Sequence, residues 1–146
     1  MKTKKNLKIG VMYSSITVKY FSKRGIRNFA DVKTGYEYKT RFTYDVDEDQ
    51  GEIGMMSSTV LKNSETKQIY IRLKVLSVFK IENLQAVIVK NEDGSFDCPL
   101  SLLQNLSALG LGTVRGILHE KLNGSILQSV PLSLSDIRTL ENIQIV

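Results

Sequence analysis

Between Tyr36 and Val46 the chain alternates without a break: Tyr36, Tyr38, Thr40, Phe42, Tyr44 and Val46 are interleaved with Glu37, Lys39, Arg41, Thr43 and Asp45. A period of two sends successive side chains to opposite faces of an extended backbone, so this stretch predicts a strand with one dry, aromatic face and one charged face. The acidic run DVDEDQGE reads as a hairpin turn into a strand from Ile53 to Leu61, and KNSETKQ turns the chain again into Ile69 to Ile81, IYIRLKVLSVFKI. These three strands form an antiparallel meander. An earlier strand, about Lys8 to Tyr20, supplies a fourth, across the irregular connection FSKRGIRNF.

After Ile81 the pattern changes. NLQAVIVKNEDGSFD holds a short apolar piece and a turn at Asp93-Gly94, and Pro99 then opens a long helix at a position proline tolerates. From Pro99 to Leu122, residues Leu102, Leu103, Leu106, Leu109, Leu111, Val114, Ile117, Leu118 and Leu122 recur at spacings of three and four around most of the cylinder. A surface helix needs only one stripe. Gly110, Gly112 and Gly116 each cost roughly 1 kcal/mol relative to alanine inside a helix, which close approach of another backbone would offset. The helix is therefore expected to be sandwiched between the chain's own sheet and a second copy, with Gly112 and Gly116 at the oligomer interface. Asn123-Gly124 closes it. The tail, SILQSVPLSLSDIRTLENIQIV, reads as an extended loop around Pro131 and then a short C-terminal helix capped by Ser133 or Ser135. Strands first and helices last make an α+β arrangement, a four-stranded antiparallel sheet followed by a long packed helix.

With 146 residues, 42% of them hydrophobic, and no linker or repeat, residues 1–146 fit one domain whose core needs no disulfide staples. Cys98 is the only cysteine, so the economical compartment is a reducing cytoplasm. Polar residues interrupt MKTKKNLKIGVMYSS before a signal-peptide core could form, and Gln104, Asn105, Arg115, His119, Glu120 and Lys121 break the long helix well short of the ~20 apolar residues of a membrane span. The net charge of +5 is unevenly distributed: residues 1–44 carry eleven Lys and Arg against Asp31 and Glu37, a balance of +9, and residues 45–146 carry −4. A basic first third points to nucleic acid or to an acidic partner, unless it is simply solvated tail and outward strand positions.

The order of parts resembles the SecB family of protein-export chaperones, particularly its divergent SecB-like members. IYIRLKVLSVFKIEN is similar to the family's fourth strand with its terminal Phe-x-Ile, CPLSLLQNLSALGLGTVRGIL to the Cys-Pro start of its long helix, and LNGSILQSVPLSL to the apolar, proline-bearing stretch that follows. Tyr20-Phe21-Ser22 stands where the family has a Phe-Ser pair. The resemblance implies a subunit that dimerises edge to edge, pairs into tetramers through its long helices and holds unfolded client proteins along apolar grooves without a cofactor. Better-known members are acidic, and their negative surface is implicated in docking the SecA translocation motor. This chain is basic and lacks an acidic tail, which argues against SecA coupling. Whether clients would be export precursors or one dedicated partner such as an antitoxin is left open.

A holdase needs shallow apolar surface and adaptable side chains. Tyr36, Tyr38, Phe42 and Tyr44 on one strand face, and Ile126, Leu127, Val130, Leu132 and Leu134 around Pro131, are the candidate client groove, with Met55 and Met56 as soft contacts. The competing reading of the aromatic face is a core beneath a helix.

Other motifs carry little chemistry. His119 and Glu120 are helix neighbours pointing about 100° apart, unsuited to acid–base work. Asp45, Asp47, Asp49 and Gly51 imitate a calcium loop with the glycine one place late and Met56 where the bidentate acid belongs. Gly110, Gly112 and Gly116 are misspaced for a dinucleotide fingerprint, and Cys98 has no base near it in sequence. The expected class is therefore a non-enzymatic protein without metal. Two alternatives stay open: a basic nucleic-acid-binding α+β module, suggested by Lys33-Thr34-Gly35-Tyr36-Glu37-Tyr38 but opposed by four consecutive strands, and a small-ligand-binding helix-grip module.

Overall fold

The computed structural model describes residues 10–24 and 35–123, and the backbone of residues 144–145. Strands β1 (Val11–Lys23), β2 (Tyr36–Asp47), β3 (Glu52–Asn63) and β4 (Ile69–Ile81) are followed by a single turn of helix, α1 (Leu84–Val87). A small hairpin of β5 (Val89–Lys90) and β6 (Phe96–Asp97) leads into the long helix α2 (Leu100–Lys121). A two-residue strand, β7 (Gln144–Ile145), comes last.

The sheet order is β1-β4-β3-β2-β7. Strands β2, β3 and β4 form the expected meander in antiparallel register, Tyr44 opposite Met55 and Met55 opposite Ser77. β1 pairs with β4, so the four strands take a Greek-key order and β1 forms one edge. At the other edge β7 lies parallel to β2 at Thr43 and Tyr44. The acidic DVDEDQGE segment is a hairpin turn, closed by Gly51 at φ 66° and by Asp47 Oδ1 accepting the Gln50 N–H at 3.1 Å.

α2 lies on one face of the sheet, and burial alternates along β3 for its whole length. Leu102, Leu103, Leu106 and Leu111 meet Phe42, Tyr44, Ile53, Met55 and Phe79 in one cluster, and Val114, Leu118 and Leu122 meet Tyr38, Leu61, Ile71, Leu73 and Val75 in a second. Small buried residues, Ser57, Ser77, Ser107 and Gly110, lie along the helix–sheet contact. A Cβ on Gly110 would run into the Met55 methyl and reach van der Waals contact with the Ser57 hydroxyl at 3.6 Å, so this glycine lets the helix seat closely on the sheet and a larger residue would have to move the end of the Met55 side chain.

The aromatic face of β2 is core. Tyr38, Phe42 and Tyr44 are 8%, 3% and 0% exposed, which removes them from the expected client groove. The reason is the alternation itself: with Lys39, Arg41 and Asp45 turned to water, only the aromatic face can receive α2. The Tyr44 hydroxyl donates to the Leu103 carbonyl at 3.0 Å and shares a further hydrogen bond with Ser107, fixing the helix along the strand. Burial pushes the phenols of Tyr38 and Tyr44 up to about 12, the Ser107 bond partly offsetting this at Tyr44. Unfolded tyrosines titrate near pH 10. Between about pH 10 and 12 the unfolded chain therefore binds fewer protons than the native one, and stability should be intact below that window and fall as pH rises through it. Denaturant melts across the window should show a shallower decline for the Tyr38→Phe/Tyr44→Phe variant. An identical slope would assign the alkaline loss to other groups.

Candidate functional site

β1 is hydrogen-bonded to β4 alone among the described strands, and register shifts between Tyr13 and Ser15 and between Val18 and Tyr20 bend its ladder. Long edges of this kind offer unpaired backbone groups to another chain. The strand touches α2 near both ends. The Tyr13 hydroxyl hydrogen-bonds Thr113 Oγ1 at 2.9 Å while its ring packs on Phe79 at 4.6 Å between centroids, and Lys121 Nζ sits 5.5 Å from the centre of the Phe21 ring.

Between these contacts lies an open apolar trough. Ile16 and Val18 are paired with Ser77 and Val75, both buried on the helix side, so their side chains project to that side too. They nevertheless stay 47% and 42% exposed because α2 is centred over β3 and β4. Leu109 and Gly116, one turn either side of Thr113, share the helix edge that faces β1. Leu109 is itself 45% exposed, and Gly112 and Gly116 would meet nothing within 4 Å if given a Cβ. The sheet thus covers one side of the helix as expected, and Gly112 and Gly116 lie on the side that the described residues leave open. Met12 and Tyr20 extend the exposed apolar set onto the opposite face of β1.

Of the residues singled out in the sequence, Tyr36 is the only member of the aromatic four left half-buried, with its ring 5.1 Å from that of Tyr70. Met55 is buried in the core and Met56 is half-buried on the far face of β3. Ile126, Leu127, Val130, Leu132 and Leu134, the C-cap Gly124 and the expected short terminal helix lie outside the described residues. The trough residues of β1 escaped the sequence reading because the register shifts break the period of two, and because nothing in the sequence marks where α2 stops covering the sheet. His119 and Glu120 are exposed in the last turn of α2. The Cys98 thiol is pushed up by burial and by the neighbouring Asp97 carboxylate, the opposite of an activated nucleophile. Among the described residues no three His, Cys, Asp or Glu side chains are grouped to hold a metal ion, and no described helix is long and apolar enough to cross a membrane.

No protein-family model and no curated protein matches this sequence. Among solved structures the chain is similar to the Mycobacterium tuberculosis Rv1957 SecB-like chaperone in complex with a ChAD peptide from the Rv1956 HigA1 antitoxin. The TM-score is 0.50 at 14% sequence identity, over 84% of this chain and 86% of that one. A likeness at this identity speaks for the fold: the chain has an α+β, SecB-like architecture.

Proposed function

We propose that this chain is a holdase chaperone that binds unfolded or extended polypeptides without ATP and works in the cytoplasm as a homodimer or homotetramer. The observation that carries the reading is the exposed apolar edge, Met12, Ile16, Val18 and Tyr20, on a strand that no described residue pairs on its outer side, with a trough beside it. An extended client can add backbone hydrogen bonds to such an edge while its alternate side chains enter the trough. The peptide held by the SecB-like structural neighbour supports polypeptide as the ligand class, either precursors awaiting export or one dedicated partner. Oligomers would form through the open side of α2 around Gly112 and Gly116. The tail residues Ile126, Leu127, Val130, Leu132 and Leu134 would extend the client surface. The chain's net charge of +5 argues against docking on SecA through a negative surface.

The purified protein should suppress aggregation of an unfolded client, and suppression should persist at high salt, where nucleic-acid-type binding fades steeply. Replacing Ile16 and Val18 together by serine should weaken holding with little change in the denaturation midpoint, since both side chains are already nearly half exposed. Holding that disappears with salt, or that survives the double substitution unchanged, would refute the apolar trough.

A further inference from the structure

The face of the sheet turned away from α2 has a segregated charge pattern. Its outward positions follow from the register: Lys39 beside Val60 and Arg72, Arg41 beside Ser58 and Lys74, then Thr43 beside Met56 and Leu76, then Asp45 beside Gly54 and Val78, and finally Asp47 beside Glu52 and Lys80. Lys39, Arg41, Arg72 and Lys74 are all exposed, and among the described residues none has an ion pair. Lys62 lies next to them, 3.7 Å from Glu37, and the nearby Lys39 ammonium lowers its pKa, a mark of crowded like charge. One end of the face is therefore a cluster of cations from three strands, its middle is aliphatic, and its other end is acidic.

We propose that this outward face docks an acidic, extended polypeptide segment, its carboxylates on Lys39, Arg41, Arg72 and Lys74 and its apolar residues against Val60, Met56 and Leu76. The spacing suits such a ligand: Lys39 and Arg41, like Arg72 and Lys74, are two residues apart on one strand, roughly 6.6 Å, the repeat of alternate side chains in an extended peptide. A single-stranded nucleic acid fits less well. Tyr20 of β1, beside Lys74, is an exposed ring bordering the cluster, but the outward positions of β2 and β3, and of β4 from Arg72 to Lys80, hold none that would continue a stack, and Asp45, Asp47 and Glu52 would repel a continuing phosphate backbone. This surface lies across the sheet from Ile16 and Val18 and meets the client edge only at its border, where Tyr20 pairs with Lys74, so substitutions at Ile16 and Val18 separate the two readings.

Fluorescence anisotropy of the full chain at low ionic strength tests the proposal, with labelled peptides that carry glutamate or glutamine and then valine at every second position, serine between them, and with an oligothymidylate of equal length. The glutamate peptide should bind most tightly and weaken with salt. Lys39→Glu/Arg72→Glu should weaken it by at least about tenfold while client holding and the denaturation midpoint stay unchanged, and Ile16→Ser/Val18→Ser should leave it bound. Tighter binding of the oligothymidylate would make the face a nucleic-acid surface. Equal binding of the two peptides, indifference to the charge reversal, or loss of the peptide in the Ile16/Val18 variant would remove the docking site from this face.

Discussion

Truncating Tyr44 to alanine should destabilise the protein by about 3–5 kcal/mol, the range for deleting a large aromatic side chain from a closed core. The ring is fully buried between Phe42, Met55 and the leucines of α2, and its hydroxyl is bonded to Leu103 and Ser107. The deletion leaves a cavity at the helix–sheet contact and removes the Tyr44 donor from the Leu103 carbonyl, which the Ser107 hydroxyl, 2.8 Å away and freed from Tyr44, can then take over. Tyr44→Phe keeps the ring and loses only the hydroxyl, so its cost should be about 0.5–1.5 kcal/mol. Urea denaturation followed by circular dichroism separates the two variants. If Tyr44→Ala instead lowered client holding at nearly unchanged stability, the side chain would belong to a client surface after all, and the packing of α2 over β2 would be wrong.

Much of the fold was legible in the sequence because it rests on periodicity. The alternation in β2 and β4 and the run of leucines in α2 report burial directly, and the structure reproduces Ile69–Ile81 at both ends. Strand order was less legible. That β1 would cross to pair with β4 depends on the long connection after Lys23 and on which edge the helix leaves free, neither of which leaves a local mark. The candidate site suffered most from this. The same aromatic stripe, Tyr38 to Tyr44, is compatible with a groove or a core, and only the placement of α2 decides between them. The cationic face is invisible along the chain for a related reason: Lys39, Arg41, Arg72 and Lys74 are unremarkable outward positions until the register sets β2, β3 and β4 side by side.

The three helix glycines should respond in opposite ways to enlargement. Gly110→Leu forces a branched side chain onto Met55 and Ser57, where the sheet has no room, and should destabilise the chain by about 1–3 kcal/mol or more. Gly116→Leu meets open space and replaces a poor helix former with a good one, so the isolated fold should be as stable as wild type or gain up to about 1 kcal/mol. The two substitutions thereby separate folding from assembly. If α2 packs against a second copy through Gly112 and Gly116, the leucine at 116 holds the facing backbones apart, and light scattering should report smaller species from a protein that melts no earlier. The wild-type chain must be an oligomer in the same measurement for the shift to be seen. An unchanged mass in the Gly116 variant would take the helix out of the interface and turn attention to the edge of β1, which no described strand pairs, as a route to a larger assembly.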